Sequence, residues 1–283
     1  MRRVGVHTSI SGGLHCALEK AKALRCNTVQ IFSHNPRAWA VKSISQEDAS
    51  VFRSLRRDFD ISPVFIHTSY LINMASKEVL LRRKSIDLLI TEMDRADFIG
   101  ADYVVLHPGS AAGEEENGAR KRAIGALNQV SQSGKWKAGL LLENTAGERG
   151  DISSRVEDLS EIIQGVRGQL ISGICFDTCH AYAAGYNIRD AIGIKALATA
   201  IEKHIGFDKI KLLHVNDSKG DIASGRDRHE HIGLGKIGKE GLGRLINSEF
   251  LKNIPLILET PKKEEADDPA NLQKVWEMTR AKR

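Results

Sequence analysis

The sequence predicts an α/β protein: a single (β/α)8, or TIM, barrel spanning residues 1–283, with a metal site at the carboxyl ends of its strands. Three observations predict it. Eight short apolar runs recur along the chain: Arg3–His7, Thr28–Phe32, Val64–His67, Tyr103–His107, Leu140–Glu143, Gly173–Asp177, Lys209–Val215 and Leu256–Glu259. Their Val, Ile and Leu residues are continuous rather than alternating, as strands of a parallel sheet buried on both faces require. Six of the runs end on, or run into, a metal-binding side chain: His67, His107, Glu143, Asp177, His214 and Glu259, separated by 40, 36, 34, 37 and 45 residues. One strand with its returning helix needs about 30 residues or more, so the spacing is that of successive strand–helix units. A parallel barrel gathers the carboxyl ends of its strands on one face, where active sites sit.

The elements follow in order. GVHTSISGG after the first strand is a poor match to G-x-G-x-x-G, which argues against a doubly wound dinucleotide fold. After the third strand, Ile86, Leu89, Ile90 and Met93 fall at i, i+3, i+4 and i+7, an inward stripe with Arg82, Arg83 and Asp87 turned outward. Ser154 with Glu157 makes a capping box opening a helix over Arg155–Gly165. The tail Pro269–Arg283 reads as a last helix with Pro269 in its first turn. Eight strands, eight helices and no Pro/Gly/Ser-rich linker make one barrel.

Bulk composition narrows the class. Hydrophobic residues at 41% and charged residues at 27% are ordinary for a soluble domain. No apolar run approaches the roughly 18 residues of a membrane span, and MRRVGVHTS lacks the apolar core of a secretory leader. Cys16, Cys26, Cys175 and Cys179 are too few for a disulfide scaffold and form no C-x-x-C pair, so a cytoplasmic setting is expected. A net charge of +5 and a pI near 9.0 suit a polyanionic partner.

Three further residues stand close to the strand ends. His180 follows Asp177 in DTCH, and Asp227 and His229 alternate in DRH so that both side chains can point one way. Nine residues result: five histidines (His67, His107, His180, His214, His229) and four carboxylates (Glu143, Asp177, Asp227, Glu259). Imidazole and carboxylate without thiolate suit zinc, manganese or iron. One catalytic zinc takes three protein ligands, so nine, with one bridging, would hold three ions. Four buried carboxylates without cations would cost several kcal/mol each, and the ions' excess positive charge is what a phosphodiester needs. His7 also ends a strand but is expected beside the site rather than as a ligand. His15, His34, His204 and His231 carry no strand-end signal, and Cys175 and Cys179 read as small buried packing.

HTSYLIN at 67–73, HPGS at 107–110, ENTAG at 143–147, FDTCHAYAAGY at 176–186, HVNDSK at 214–219, DRHEHIGLGKIG at 227–238 and PLILET at 255–260 closely resemble the endonuclease IV family of abasic-site repair enzymes. The resemblance covers nearly the whole chain. It implies a trinuclear zinc site: His67 and His107 on the first zinc, Glu143 bridging it to the second, Asp177, His214 and Glu259 completing the second, and His180, Asp227 and His229 on the third. Manganese or iron is compatible with one position. The implied substrate is double-stranded DNA containing an abasic site, and no nucleotide cofactor, membrane or partner subunit is implied. The implied reaction is hydrolysis of the phosphodiester 5′ to the lesion, leaving a 3′-hydroxyl and a 5′-deoxyribose phosphate, with trimming of blocked 3′ ends. Glu143 and Glu259 would orient the nucleophile. Arg37, Tyr70 and Leu71 occupy the positions of loop side chains that fill the gap left by the extruded sugar. HNPRAW departs from the polar stretch expected around Arg37, because Pro36 stiffens the loop.

Two other readings stay open on the residues alone. A sugar isomerase or epimerase would use a comparable barrel and a single metal, but gives no use for His67, His107 and the DRH loop. A non-catalytic damaged-DNA-binding barrel would bind abasic DNA without turnover.

Overall fold

Burial of the apolar runs on both faces closes the sheet into a barrel. The computed structural model describes residues 2–280. In chain order the elements are β1 (Val4–Thr8), α1 (Leu14–Ala23), β2 (Val29–Phe32), α2 (Gln46–Asp58), β3 (Val64–His67), α3 (Val79–Ile99), β4 (Tyr103–Leu106) and α4 (Glu116–Ser133). They continue with β5 (Gly139–Glu143), α5 (Val156–Gly165), β6 (Ile171–Asp177), α6 (Thr178–Ala183), α7 (Ala191–His204) and β7 (Ile210–His214). A small antiparallel pair, β8 (Asp217–Ser218) with β9 (His229–Glu230), precedes α8 (Gly238–Ile246), β10 (Leu256–Leu258) and α9 (Asp267–Arg280). The barrel strands are all parallel and close in the order β1, β10, β7, β6, β5, β4, β3, β2.

Two cores result from the period of two along each strand. Phe65, Val105, Leu141, Cys175, Leu212 and Ile257 pack together inside the barrel. Their chain neighbours, such as Ile66, Val104, Leu142, Phe176, Leu213 and Leu258, join the larger layer between strands and helices. Each inner residue lies two positions before one of the six strand-end residues named above. The alternation that buries the inner cluster therefore turns His67, His107, Glu143, Asp177, His214 and Glu259 toward the barrel axis.

Several boundaries differ from expectation. His107 and Glu259 fall one residue beyond the ends of their strands, and β6 begins two residues early, at Ile171. The extra short helix α6 starts directly on Asp177. In α3 the buried face is wider than the predicted stripe, because Ser85, Leu88 and Glu92 are also buried while Ile90 is only half-buried. Arg82 does not point away; it folds back so that its guanidinium donates to the Ser76 carbonyl at 2.5 Å. The expected Ser154–Glu157 capping box is absent. Instead Asp158 accepts from the backbone N–H of Arg155 at 3.2 Å, and Glu157 faces His204 at 3.5 Å. One residue of offset moves the cap because Val156 and Leu159 must both face the core. Pro269 lies in the first turn of α9, as expected; residues 281–283 of the predicted tail helix lie outside the described residues. Among the described residues no helix is long and apolar enough to cross a membrane.

Candidate metal centre

The six inward strand-end side chains and the three loop residues converge in three groups. In the first, Glu143 Oε2 lies 3.4 Å from His67 Nε2 and 3.1 Å from His107 Nε2. In the second, His214 Nδ1 faces Glu143 Oε1 at 2.9 Å, Glu259 Oε2 at 3.3 Å and Asp177 Oδ2 at 3.8 Å. In the third, Asp227 Oδ1 lies 3.3 Å from His180 Nε2 and 3.2 Å from His229 Nε2. The two oxygens of Glu143 thus serve two groups, and Asp177 Oδ2 also faces His229 Nε2 at 3.9 Å.

Local structure sets each ring. The Nδ1–H groups of His67, His180 and His229 donate to the carbonyls of Thr68, Asn144 and Glu259 at 2.8, 2.9 and 3.0 Å. A carbonyl can only accept, so these contacts put the proton on Nδ1 and leave Nε2 as the inward lone pair. His214 is reversed: its Nε2–H donates to Gln30 Oε1 at 2.8 Å, leaving Nδ1 inward. Gln30 then donates through Nε2 to Glu259 Oε1 at 2.6 Å. Asp177 caps α6 by accepting from the His180 N–H at 2.8 Å, so DTCH delivers its two side chains through a helical turn rather than an extended segment. Asn216 donates to Asp177 Oδ2 at 2.6 Å and accepts from the Glu259 N–H at 2.8 Å.

The loop that brings Asp227 and His229 to the site is anchored by Asp217, which is fully buried. Its carboxylate accepts from the backbone N–H groups of Ser218, Gly233, Gly235, Ile237 and Gly238 at 2.9–3.3 Å. Gly235 is required there, since a Cβ would stand 2.5 Å from the Asp217 Oδ1 it must approach. Pairing of β8 with β9 then sets His229.

Ligand atoms about 2.0–2.2 Å from a tetrahedral ion stand roughly 3.3–3.5 Å apart, close to the separations in the first and third groups. Glu143 Oε2 and His229 Nε2 are buried without a hydrogen-bond partner despite these close neighbours, which fits ligand atoms aimed at a shared point rather than at each other. Charge agrees with this. Burial works against an ionised Glu143, yet His214 and His107 hold its carboxyl well below the usual range. Burial likewise opposes charge on His180 and His229, but Asp177 and Asp227 outweigh it, raising His180 well above its ordinary value and His229 to about 9. The carboxylates draw positive charge into the pocket, and divalent ions at the same positions would supply it. Burial pushes the thiol of Cys175 up and that of Cys179 to about 12; Cys175 belongs to the inner barrel packing, and both sulfurs lie close to the groups above, Cys175 beside Glu143 and His214 and Cys179 beside Asp177 and His229.

Above the centre opens a cleft of about 990 Å³ whose walls include His67, His107, His229, Tyr70 and the basic pair Arg228 and Lys262. Of the three expected DNA-contacting residues, Tyr70 reaches the cleft, 67% exposed with its ring edge-on to Phe32 at 5.3 Å. Arg37 is exposed and Leu71 half-buried on the neighbouring loops, and neither lines the cleft. His7 stands behind Glu259, its Nδ1 3.3 Å from Glu259 Oε1. His15, His204 and His231 contact Cys16, Glu157 and Asn271 away from the three groups. His34 is buried against Glu92 at 3.2 Å. Gln30, Asn144, Asn216 and Asp217 escaped sequence reasoning. Gln30 carried a signal, as the polar residue at the inward position of VQIF.

Comparison with known proteins places this geometry. The family model described as xylose isomerase-like TIM barrel matches residues 18–282. A protein named probable endonuclease 4 from Methanoculleus marisnigri is 40% identical over 279 residues, covering 98% of this chain and 99% of the relative. One of the same name from Halothermothrix orenii is 43% identical over 260 residues, covering 92% and 94%. The crystal structure of endonuclease IV from Thermus thermophilus superposes with a TM-score of 0.86 at 34% identity, covering 98% of both chains. A D-tagatose 3-epimerase-like protein, 20% identical with a TM-score of 0.73 over 97% of this chain and 96% of its own, shares the fold. With its fold and nearly its whole length matched, the chain belongs to the endonuclease IV family of xylose isomerase-like TIM barrels.

Proposed function

We propose that the protein is a zinc-dependent endonuclease of DNA repair that hydrolyses the phosphodiester 5′ to abasic sites in duplex DNA and trims blocked 3′ ends, working as a monomer in the cytoplasm. The observation that carries this reading is the division of Glu143 between two groups of ligand atoms, with a third group at Asp227 opening on the same cleft. His67, His107 and Glu143 would hold one zinc, Glu143, Asp177, His214 and Glu259 the second, and His180, Asp227 and His229 the third. When bound, the ions supply a water activated near neutral pH and the positive charge that a phosphodiester and its leaving oxygen require.

The chain's own groups do the rest. Glu143 and Glu259 orient the attacking water by accepting its hydrogens, and Gln30 fixes the angle of Glu259 through its 2.6 Å hydrogen bond. Arg228 and Lys262 meet the phosphate backbone at the cleft wall. An abasic sugar has lost its stacking and is easier to extrude than an intact nucleotide. Tyr70, with Leu71 and Arg37 beside it, occupies the vacated space, and an apolar wedge stabilises the kink. The epimerase alternative leaves His180, Asp227 and His229 without a use.

The test is incubation with a labelled duplex bearing one tetrahydrofuran abasic analogue, in EDTA without magnesium. The analogue cannot undergo β-elimination, so a cut is hydrolytic. A single incision on the 5′ side, leaving an extendable 3′-hydroxyl, is expected. An intact duplex with metal still bound would refute the reading.

A further inference from the structure

Glu92, on the buried face of α3, is fully enclosed. An enclosed carboxylate is costly unless hydrogen-bond donors or charges meet it. Its Oε1 accepts from the backbone N–H of Ser69 at 2.8 Å and faces His34 Nε2 at 3.2 Å. These partners belong to different loops. Ser69 precedes Tyr70 and Leu71, and His34 stands three residues before Arg37. Ser69 Oγ closes the triangle by donating to the Pro36 carbonyl at 2.7 Å. One helical turn on, Arg95 donates to Ser33 Oγ at 3.1 Å, to the Ser33 carbonyl, and to the Lys42 carbonyl at 2.7 Å.

A cleft of about 540 Å³, lined by Ile10, His34, Ile44 and Arg95 among others, lies against residues 33–44. Trp39, Val41 and Ile44 of this segment pack against the core, while Glu92, Ser69 and Arg95 hold its polar groups. Yet His34 Nδ1 and Glu92 Oε2 are buried without hydrogen-bond partners. A well-packed apolar pair would fill the same space without unmet groups, so core stability does not account for this arrangement.

We propose that Glu92 is a positioning residue for lesion recognition, tying the Arg37 loop to the Tyr70–Leu71 loop so that the two present one surface to DNA. This rests on the abasic-site reading of the same cleft. Both loops flank Phe32, whose ring supports Tyr70, so a shift in either changes the shape offered to the gapped strand. A recognition surface displaced well away from the reacting atoms weakens binding of the substrate and leaves the chemical step nearly unchanged.

The test compares Glu92→Leu, which removes the acceptor at similar volume, with Glu92→Gln, which keeps an oxygen for the Ser69 N–H. Amide hydrogen exchange is read on residues 33–44 and 68–72 of the zinc-loaded protein without DNA. Exchange should quicken in both segments together in Glu92→Leu and return toward wild type in Glu92→Gln, with the barrel strands unchanged. For the abasic duplex, Glu92→Leu should raise KM about tenfold with kcat within about twofold. Zinc content and turnover of bis(p-nitrophenyl) phosphate, which needs no DNA-reading loop, should stay at wild-type levels. If Glu92→Leu does not fold, Ser69→Ala, which deletes the Oγ bond to the Pro36 carbonyl and the one accepted from the Leu71 N–H, should quicken exchange in residues 33–44 and 68–72. Unchanged exchange in these loops, or a parallel loss of small-phosphodiester turnover, overturns the proposal. Wild-type protein that leaves the abasic duplex intact would instead refute the functional reading, and the exchange pattern would then decide the tie by itself.

Discussion

Glu143 holds the site together because its two oxygens face different sets of histidines, His67 and His107 on one side and His214 on the other. Glu143→Gln keeps the volume but removes the negative charge and replaces one of those oxygens with an amide nitrogen that cannot ligate a cation. Cleavage of an abasic duplex should fall by at least about a thousandfold, with the far-ultraviolet circular dichroism of the folded barrel retained. Normal turnover in that variant would remove Glu143 from the mechanism. The strand-end residues were legible in the sequence because a barrel strand ends at its functional residue and the inward register repeats every second position. Asn144, Asn216 and Asp217 were not, because each gains its meaning from partners on other strands and loops. Asn216 joins Asp177 to the backbone of Glu259, contacts separated by 39 and 43 residues. Nothing in HVNDSK alone announces those partners.

At the scale of elements, the segment from β8 to α8 depends on one carboxylate. Asp217 meets the backbone donors of Ser218, Gly233, Gly235, Ile237 and Gly238, and that wrapped loop carries Asp227 and His229. Asp217→Ala leaves those N–H groups unmet in a buried position and should destabilise the protein by roughly 2–4 kcal/mol, read by denaturant unfolding. Metal analysis of the same variant should find zinc lost from the His180–Asp227–His229 group first. Unchanged stability with full zinc content would show that the loop holds itself. Helix placement was mostly legible from apolar periodicity, while caps and loop anchors were not. The α5 start moved from Ser154 to Arg155 because an Asp158 contact competes with the expected Glu157 one, and a one-residue choice between two acids is settled by core packing. Glu92 was hidden for the related reason that a charged residue on a helix is ordinarily assigned to solvent.

For the whole molecule, the barrel order was legible from strand spacing, the net charge is +5, and Arg228 and Lys262 stand in the cleft wall. Binding to an abasic duplex should release counterions, so affinity should drop on the order of a hundredfold for a fourfold rise in salt. A flat response, read by fluorescence anisotropy, would argue against a nucleic-acid substrate. One barrel face gathers nine side chains into three groups, with Glu143 shared between two of them. Zinc-edge anomalous diffraction from crystals of the protein as purified would show whether each group holds an ion. Three peaks are expected, bounded by His67, His107 and Glu143, by Glu143, Asp177, His214 and Glu259, and by His180, Asp227 and His229. A single peak would overturn this arrangement and favour the single-metal sugar isomerase or epimerase reading.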